Sequence, residues 1–243
     1  MKNKLALLSG ILCIGLVIAF IFYTGKDNQK KEGYTTTGFA MGTAVTVSVY
    51  SDQGRQDADA VIDCVSRLER EQISWRIEGS EVYRVNHEYK AGEPYEISYD
   101  LAYVVLQERE VSEAGDDLLA LTIRPLASCW GIEDGKKQVP ETQKIEEACS
   151  AVDDSKVHIV DEQGKELTQA SDLSENGTWY VLFDEAGLSL DFGAMGKGIA
   201  CDRVAENLEE NQVEGACVAV GGSVLCYAGW FRFPDRYSRS ERN

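Results

Sequence analysis

The stretch LDFGAMGKGIACD, residues 190 to 202, sets a lysine between two glycines where an apolar run gives way to an amphipathic one. A glycine-rich turn that opens a helix aims unpaired backbone N–H groups at one spot, and the helix dipole adds partial positive charge there. Anions bind at such places, and Lys197 would strengthen the pull on a phosphate. Two nucleotide signatures are excluded by spacing. GxxxxGK[ST] needs its first glycine farther away and a Ser or Thr where Gly198 stands, and the order of the glycines is not GxGxxG. Asp191, at the end of the apolar run, suits a ligand hydroxyl or nitrogen, or a helix cap. Taken alone, the stretch fits a tight turn with a solvated lysine as well as it fits an anion site.

Other groups of interest are scattered along the chain. Gly221 and Gly222 follow the apolar run ACVAV and allow close approach to a flat or phosphorylated ligand, or simply a turn. Met41-Gly42-Thr43 precedes a predicted strand. Ser74, Trp75, Arg76, Ser80, Glu81 and Asn86 follow a predicted helix, and Thr122, Pro125 and Trp130 lie in LTIRPLASCWGI. Trp75 and Trp130 fit a core as readily as a cofactor platform. Seven cysteines without a CxxC spacing, and only two histidines, argue against a zinc site. The odd, scattered count reads as small buried apolar side chains rather than a disulfide framework.

These residues need elements to position them. Valines at 45, 47 and 49 alternate as in a strand over residues 43–50. Ala58, Val61, Ile62, Val65 and Leu68 share a helical face over 57–73, and 99–114 reads as a second helix. Residues 133–172 are polar and predict a short helix with loops. Residues 179–193 predict a hairpin, with Trp179, Val181 and Phe183 answered by Leu188, Leu190 and Phe192 across a turn at 185–187. A helix follows over 196–210, then a buried strand ending at the paired glycines. Hairpins intermixed with helices predict an α+β fold, with mixed sheets and packed helices.

Bulk properties narrow the partners. The 243 residues are 44% hydrophobic and carry a formal net charge of −17, enough for one large domain or two small ones. Such a chain repels nucleic acid, which is excluded as a partner. Binding a phosphorylated ligand then requires local help from N–H groups, a lysine or a divalent cation. Residues 5–23 are nineteen without a charge, long enough as a helix to cross a bilayer core. They predict an N-terminal membrane anchor after a short segment 1–4. Leu12, rather than a small residue, precedes Cys13, which disfavours lipidation. Residues 24–38 read as a linker.

Five segments taken in order resemble the FAD:protein FMN transferases, the ApbE family. They are Met41-Gly42-Thr43, then Ser74 to Ser80-Glu81 with Asn86, and Thr122-Ile123-Arg124-Pro125-Leu126 with Trp130-Gly131. Asp191 to Lys197-Gly198 with Asp202 follows, and Gly221-Gly222 is last. The likeness runs over residues 39–228. It implies an enzyme that cleaves the FAD pyrophosphate with magnesium, releases AMP and attaches FMN to a Thr or Ser of an acceptor flavoprotein. It further implies that Asp191 and Lys197 contact FAD, with Gly221 and Gly222 among the cofactor residues. The Ala194 carbonyl would ligate magnesium, and Met41, Trp75 and Arg76 would line the flavin or adenine pocket. Location at the cytoplasmic membrane, with the domain on its outer side, is implied too.

The sequence departs from the family pattern in two places. Leu118-Leu119-Ala120 stands where an A-F-D-like run contacts FAD, so Ala120 replaces an acid. No histidine-containing H-x-I-x-P-like segment, and no later Asp and Thr of the metal site, follow the paired glycines. Residues 229–243 instead carry four arginines and two acids and read as an aberrant basic tail. Two expectations result: an FMN transferase, or a truncated copy of one that is inactive or poorly folded, and as the alternative a non-catalytic, membrane-anchored flavin-binding protein.

Overall fold

The computed structural model describes residues 33–115, 118–132, 139–174 and 176–228. Two four-stranded antiparallel sheets form its frame. The first contains β1 (Tyr34–Ala40), β2 (Thr43–Tyr50), β7 (Gly215–Val220) and β8 (Ser223–Ala228), in the order β1-β2-β7-β8. The second contains β3 (Tyr95–Ile97), β4 (Val157–Asp161), β5 (Glu166–Leu167) and β6 (Trp179–Phe183), in the order β3-β6-β4-β5.

Alternation decides which face of the first sheet is buried. Val45, Val47 and Val49 of β2 point the same way as Ala216, Val218 and Val220 of β7. Each such valine contributes roughly 1.5–3 kcal/mol by leaving water. Two helices cover that face. α1 (Gly54–Arg67) brings Ala58, Val61 and Val65, and α6 (Gly196–Glu210) brings Ile199, Ala200, Val204 and Leu208. α1 runs on into a π-helical turn, Leu68–Ile73, which ends at extended Ser74. α2 (Glu81–Glu88) follows, and α3 (Tyr99–Ala114) packs Leu101, Val104, Val105 and Leu106 beside β4 and β6. The short helices α4 (Arg124–Cys129) and α5 (Thr142–Cys149) pack on each other.

The α+β expectation and the helices predicted over 57–73, 99–114 and 196–210 agree with this frame. Four details differ. Leu188, Leu190 and Phe192 are buried in alternation, yet they form no strand. Their backbone partners are not β6: Leu190 exchanges two hydrogen bonds with the Asn86 side chain, and Asp191 N donates to Leu121 O at 2.8 Å. The predicted linker gives up residues 34–38 to β1, whose threonines pair along β2. The polar region before residue 172 holds β4 and β5 as well as α5. Among the described cysteines, Cys149, Cys217 and Cys226 are exposed and none is fully buried. The anchor at 5–23, Cys13 and the tail at 229–243 lie outside the described residues. No described helix is long and apolar enough to cross a membrane.

Candidate functional site

Two tight turns meet α6 at one end of the first sheet. Met41 and Gly42 link β1 to β2, both with positive φ, at 54° and 68°. Gly221 and Gly222 link β7 to β8 beside them. Gly221 has φ +57°, and a Cβ there would lie 2.8 Å from Thr43 Oγ1, so both backbone shape and neighbour require glycine. Gly196 opens α6 under the first turn, where a Cβ would come within 2.9 Å of Met41 Cε.

Glu69, on the π-helical turn, ties these parts together. Its Oε2 accepts a hydrogen bond from Met41 N at 2.6 Å, and its Oε1 lies 3.9 Å from Arg76 Nη2. Beyond it the chain turns at Ser74, whose Oγ accepts from Arg76 N and Ile77 N, both at 3.2 Å. Trp75 is held there under two guanidinium groups, with Arg124 Cζ 3.3 Å and Arg76 Cζ 5.2 Å from its ring centroid.

A cavity of about 90 Å³ lies between these segments and the start of α6. Met41, Trp75, Arg76 and Lys197 line it, with Glu69 and Gly193. A second cavity of about 440 Å³ opens beside it, between α3 and α6, where Tyr103, Gln107, Ala194, Met195, Arg203 and Ser223 are among its walls. The turn from Gly193 to Gly198 thus contributes to both. No side chain caps α6, and its first N–H, that of Gly196, donates to Phe192 O at 2.6 Å. Asp191 is buried, and its Oδ1 accepts from Gly193 N at 2.7 Å, which shapes the approach to the helix.

Beneath the turn lies an acidic core. Asp154 accepts hydrogen bonds from Leu121 N, Thr122 N and Thr122 Oγ1, at 2.7, 2.9 and 2.5 Å. Glu108 reaches it from α3, fully buried, with Oε2 unpartnered. Burial first, and then the charges of Asp154 and Asp191, push the Glu108 carboxyl up to about 8.

The comparisons with known proteins bear on this arrangement. The model of the ApbE family matches residues 41–235. The chain belongs to the ApbE family. A FAD:protein FMN transferase of Klebsiella pneumoniae is 28% identical over 198 residues, 81% of this chain and 57% of that protein. One from Treponema pallidum is 22% identical over 219 residues, 87% of this chain and 57% of that protein. The chain therefore spans less than two thirds of either relative. The ApbE protein of Thermotoga maritima superimposes with a TM-score of 0.66 at 24% identity, over 80% of this chain and 59% of that one. The apo flavinyl transferase ApbE of Pseudomonas stutzeri does so with 0.66 at 20% identity, over 82% and 62%. Both share the fold.

The ApbE segments sort into two kinds of residue here. Met41, Trp75, Arg76 and Lys197 meet at the smaller cavity, and Ala194 lies on the larger. Gly221 and Gly222 build the adjoining turn, and their neighbour Ser223 reaches the larger cavity. Leu118, Leu119 and Ala120 line neither cavity: Leu118 is exposed, and Leu119 O accepts from Ser112 Oγ at 2.6 Å. Ser80, Glu81 and Asn86 hold the frame. Ser80 caps α2, Glu81 binds Ser98 N and Oγ at 2.6 Å each, and Asn86 clamps Leu190. Glu69, Arg124 and Glu108 were not singled out from the sequence.

Magnesium finds few donors. Among the described residues no three His, Cys, Asp or Glu side chains are grouped to hold a metal ion. The Ala194 carbonyl would be a single ligand, so the described residues do not make up the metal site that the ApbE resemblance implies.

Proposed function

We propose that this chain binds FAD across the Gly193–Gly198 turn and serves FMN transfer to a protein hydroxyl. One observation carries the reading. Met41, Trp75 and Arg76 arrive from two distant segments at the uncapped start of α6, where Lys197 stands. Two cations beside a helix start without a side-chain cap suit a pyrophosphate, and a preorganised cluster of this kind stabilises charge that develops as the P–O–P bridge breaks. The smaller cavity takes only part of a dinucleotide. The larger one is of the size that holds a ring system.

In the proposed reaction an acceptor Thr or Ser oxygen attacks the FMN phosphorus. The P–O bond to AMP breaks, AMP leaves with the electron pair, and the hydroxyl proton passes to a base. No described residue is assigned as that base. Magnesium would be a Lewis acid in this chemistry, with donors beyond those described here. We also propose that residues 5–23 tether the domain at the outer side of the cytoplasmic membrane, since they form an uncharged run of bilayer length.

A second reading is flavin binding without turnover. Arg76 and Lys197 line the smaller cavity, whereas the described metal donors are few. The two readings part in one experiment. The chain is incubated with FAD, magnesium and an acceptor flavoprotein domain, while AMP release and covalent flavin on the acceptor are followed. Both products together support transfer. Bound FAD with no AMP supports the second reading, and absence of FAD binding contradicts both.

A further inference from the structure

A pair of cysteines on the outer face of the first sheet forms a site of its own. Cys217 of β7 and Cys226 of β8 lie directly opposite each other in the antiparallel register, and both are exposed. Strand alternation explains why. Ala216, Val218 and Val220 turn into the core, so Cys217 between them faces out. Thr35 of β1 and Ser48 of β2 continue the same outward row, joined by their own hydroxyl bond of 2.9 Å.

The phase of the ladder brings the two sulfurs close. Gly221 N donates to Ala44 O at 3.0 Å, so Gly221 and the residues two and four before it on β7 turn their backbone groups toward β2. Cys217 is one of them. Across β7 and β8 it therefore forms a non-hydrogen-bonded pair with Cys226, the kind whose Cα atoms are nearest, at about 4.5 Å. Disulfides span Cα separations of about 4.4–6.8 Å. The Cys226 thiol is also near enough to act on the Cys217 thiol electrostatically. The other cysteines of the described residues have no such opposite number in a strand register.

We propose that Cys217 and Cys226 are a dithiol site that a low-molecular-weight disulfide oxidises to a cross-strand disulfide. The thiolate of one cysteine attacks a sulfur of the small disulfide and expels one small thiolate. The second cysteine, as thiolate, attacks the resulting mixed disulfide at the protein sulfur. The internal S–S bond forms and the second small thiolate leaves. Two electrons pass from the cysteine pair to the small disulfide, and the two thiol protons end on the two small thiols. Desolvation, and then the neighbouring Cys226 thiol, push the Cys217 thiol up, so exchange runs faster under alkaline conditions. The bond would fasten β8, which ends the sheet among the described residues, to β7 and so fix Ser223 in the wall of the larger cavity.

The test uses the full chain equilibrated with glutathione buffers from reduced to oxidised, then quenched, alkylated and digested with trypsin. Cys217 and Cys226 fall in one tryptic peptide, because no Lys or Arg separates them. The expected result is that this peptide ceases to be alkylated and weighs two hydrogens less than the free dithiol peptide as the buffer becomes oxidising. Exposed Cys149 should instead carry glutathione. Cys217→Ser should leave glutathione on Cys226. The proposal is overturned if both cysteines stay alkylated in the most oxidising buffer while Cys149 reacts. Glutathione on both without a link, or a link to another cysteine, overturns it too.

Discussion

At the scale of single residues, the site joins groups with opposite demands. Lys197 and Arg76 bring positive charge to the smaller cavity, and Glu69 lies within 3.9 Å of Arg76 to hold it in place. Trp75 gives a flat surface on which the Arg124 guanidinium stacks, 3.3 Å from its ring centroid. Trp75→Ala should weaken FAD binding by roughly 5- to 30-fold, through loss of both the ring and its cation partner, as titration of flavin fluorescence would read. Glu108 differs in kind. Its carboxyl is held at about 8, against about 4.5 when unfolded, so between these values the native state keeps a proton that the unfolded chain has lost. Stability therefore falls as pH rises through that window. Glu108→Gln keeps the shape and cannot ionise. It should melt higher than the parent near pH 8, with the gap closing toward about pH 5. A gap independent of pH would rule out the buried acid. Glu108 was legible in principle, because it shares a helical face with Leu101, Val105 and Ser112, all buried. An acid on a core face is a signal that motif spacing alone passes over.

At the scale of elements, two strained turns and one side-chain clamp place the chemistry. Gly221→Ala should cost roughly 1–3 kcal/mol, from its positive φ and the 2.8 Å approach to Thr43, as chemical denaturation would show. Asn86→Ala should cost about 2–4 kcal/mol, since Leu190 N and O both lose their partner in the interior. It should also weaken FAD binding, because Leu190 leads directly into the Gly193–Gly198 turn. A variant as stable as the parent would show that another group holds that strand-like run. The sequence made β2, α1, α3 and α6 readable, since each has one buried face with its own period. It misread Leu188–Phe192, because alternation reports burial and not the identity of the hydrogen-bond partner. Here the partner is a side chain from α2, 104 residues away. β1 was hidden by its threonines, which pair well in a strand while reading as polar. Met41, Trp75 and Arg76 were legible only as parts of ordered motifs, whereas Lys197 stood out between its glycines. Glu69 was not, lying in a charged helix end like any solvated acid.

At the scale of the whole molecule, a chain of net charge −17 approaches an anionic dinucleotide. Long-range repulsion acts on the encounter, while Lys197 and Arg76 act only at contact. FAD association should therefore speed up as salt rises to about 0.15 M, where the screening length is about 8 Å. Dissociation should change less. A rate that falls with salt in stopped-flow measurements would mean that the local cations govern the approach. The fold is shared with ApbE proteins over about four fifths of this chain, 80% and 82% in the two structures. Within that frame the buried Glu108 and the outward cysteine pair are local features of this chain.

The most direct measurement is a titration of the chain with FAD, followed by flavin fluorescence, beside the same titration of Lys197→Ala. If the start of α6 receives the pyrophosphate, the parent binds and the variant binds about 10- to 100-fold more weakly, the worth of one charge-assisted hydrogen bond. Equal affinity in the two proteins would contradict the placement of FAD at the Gly193–Gly198 turn.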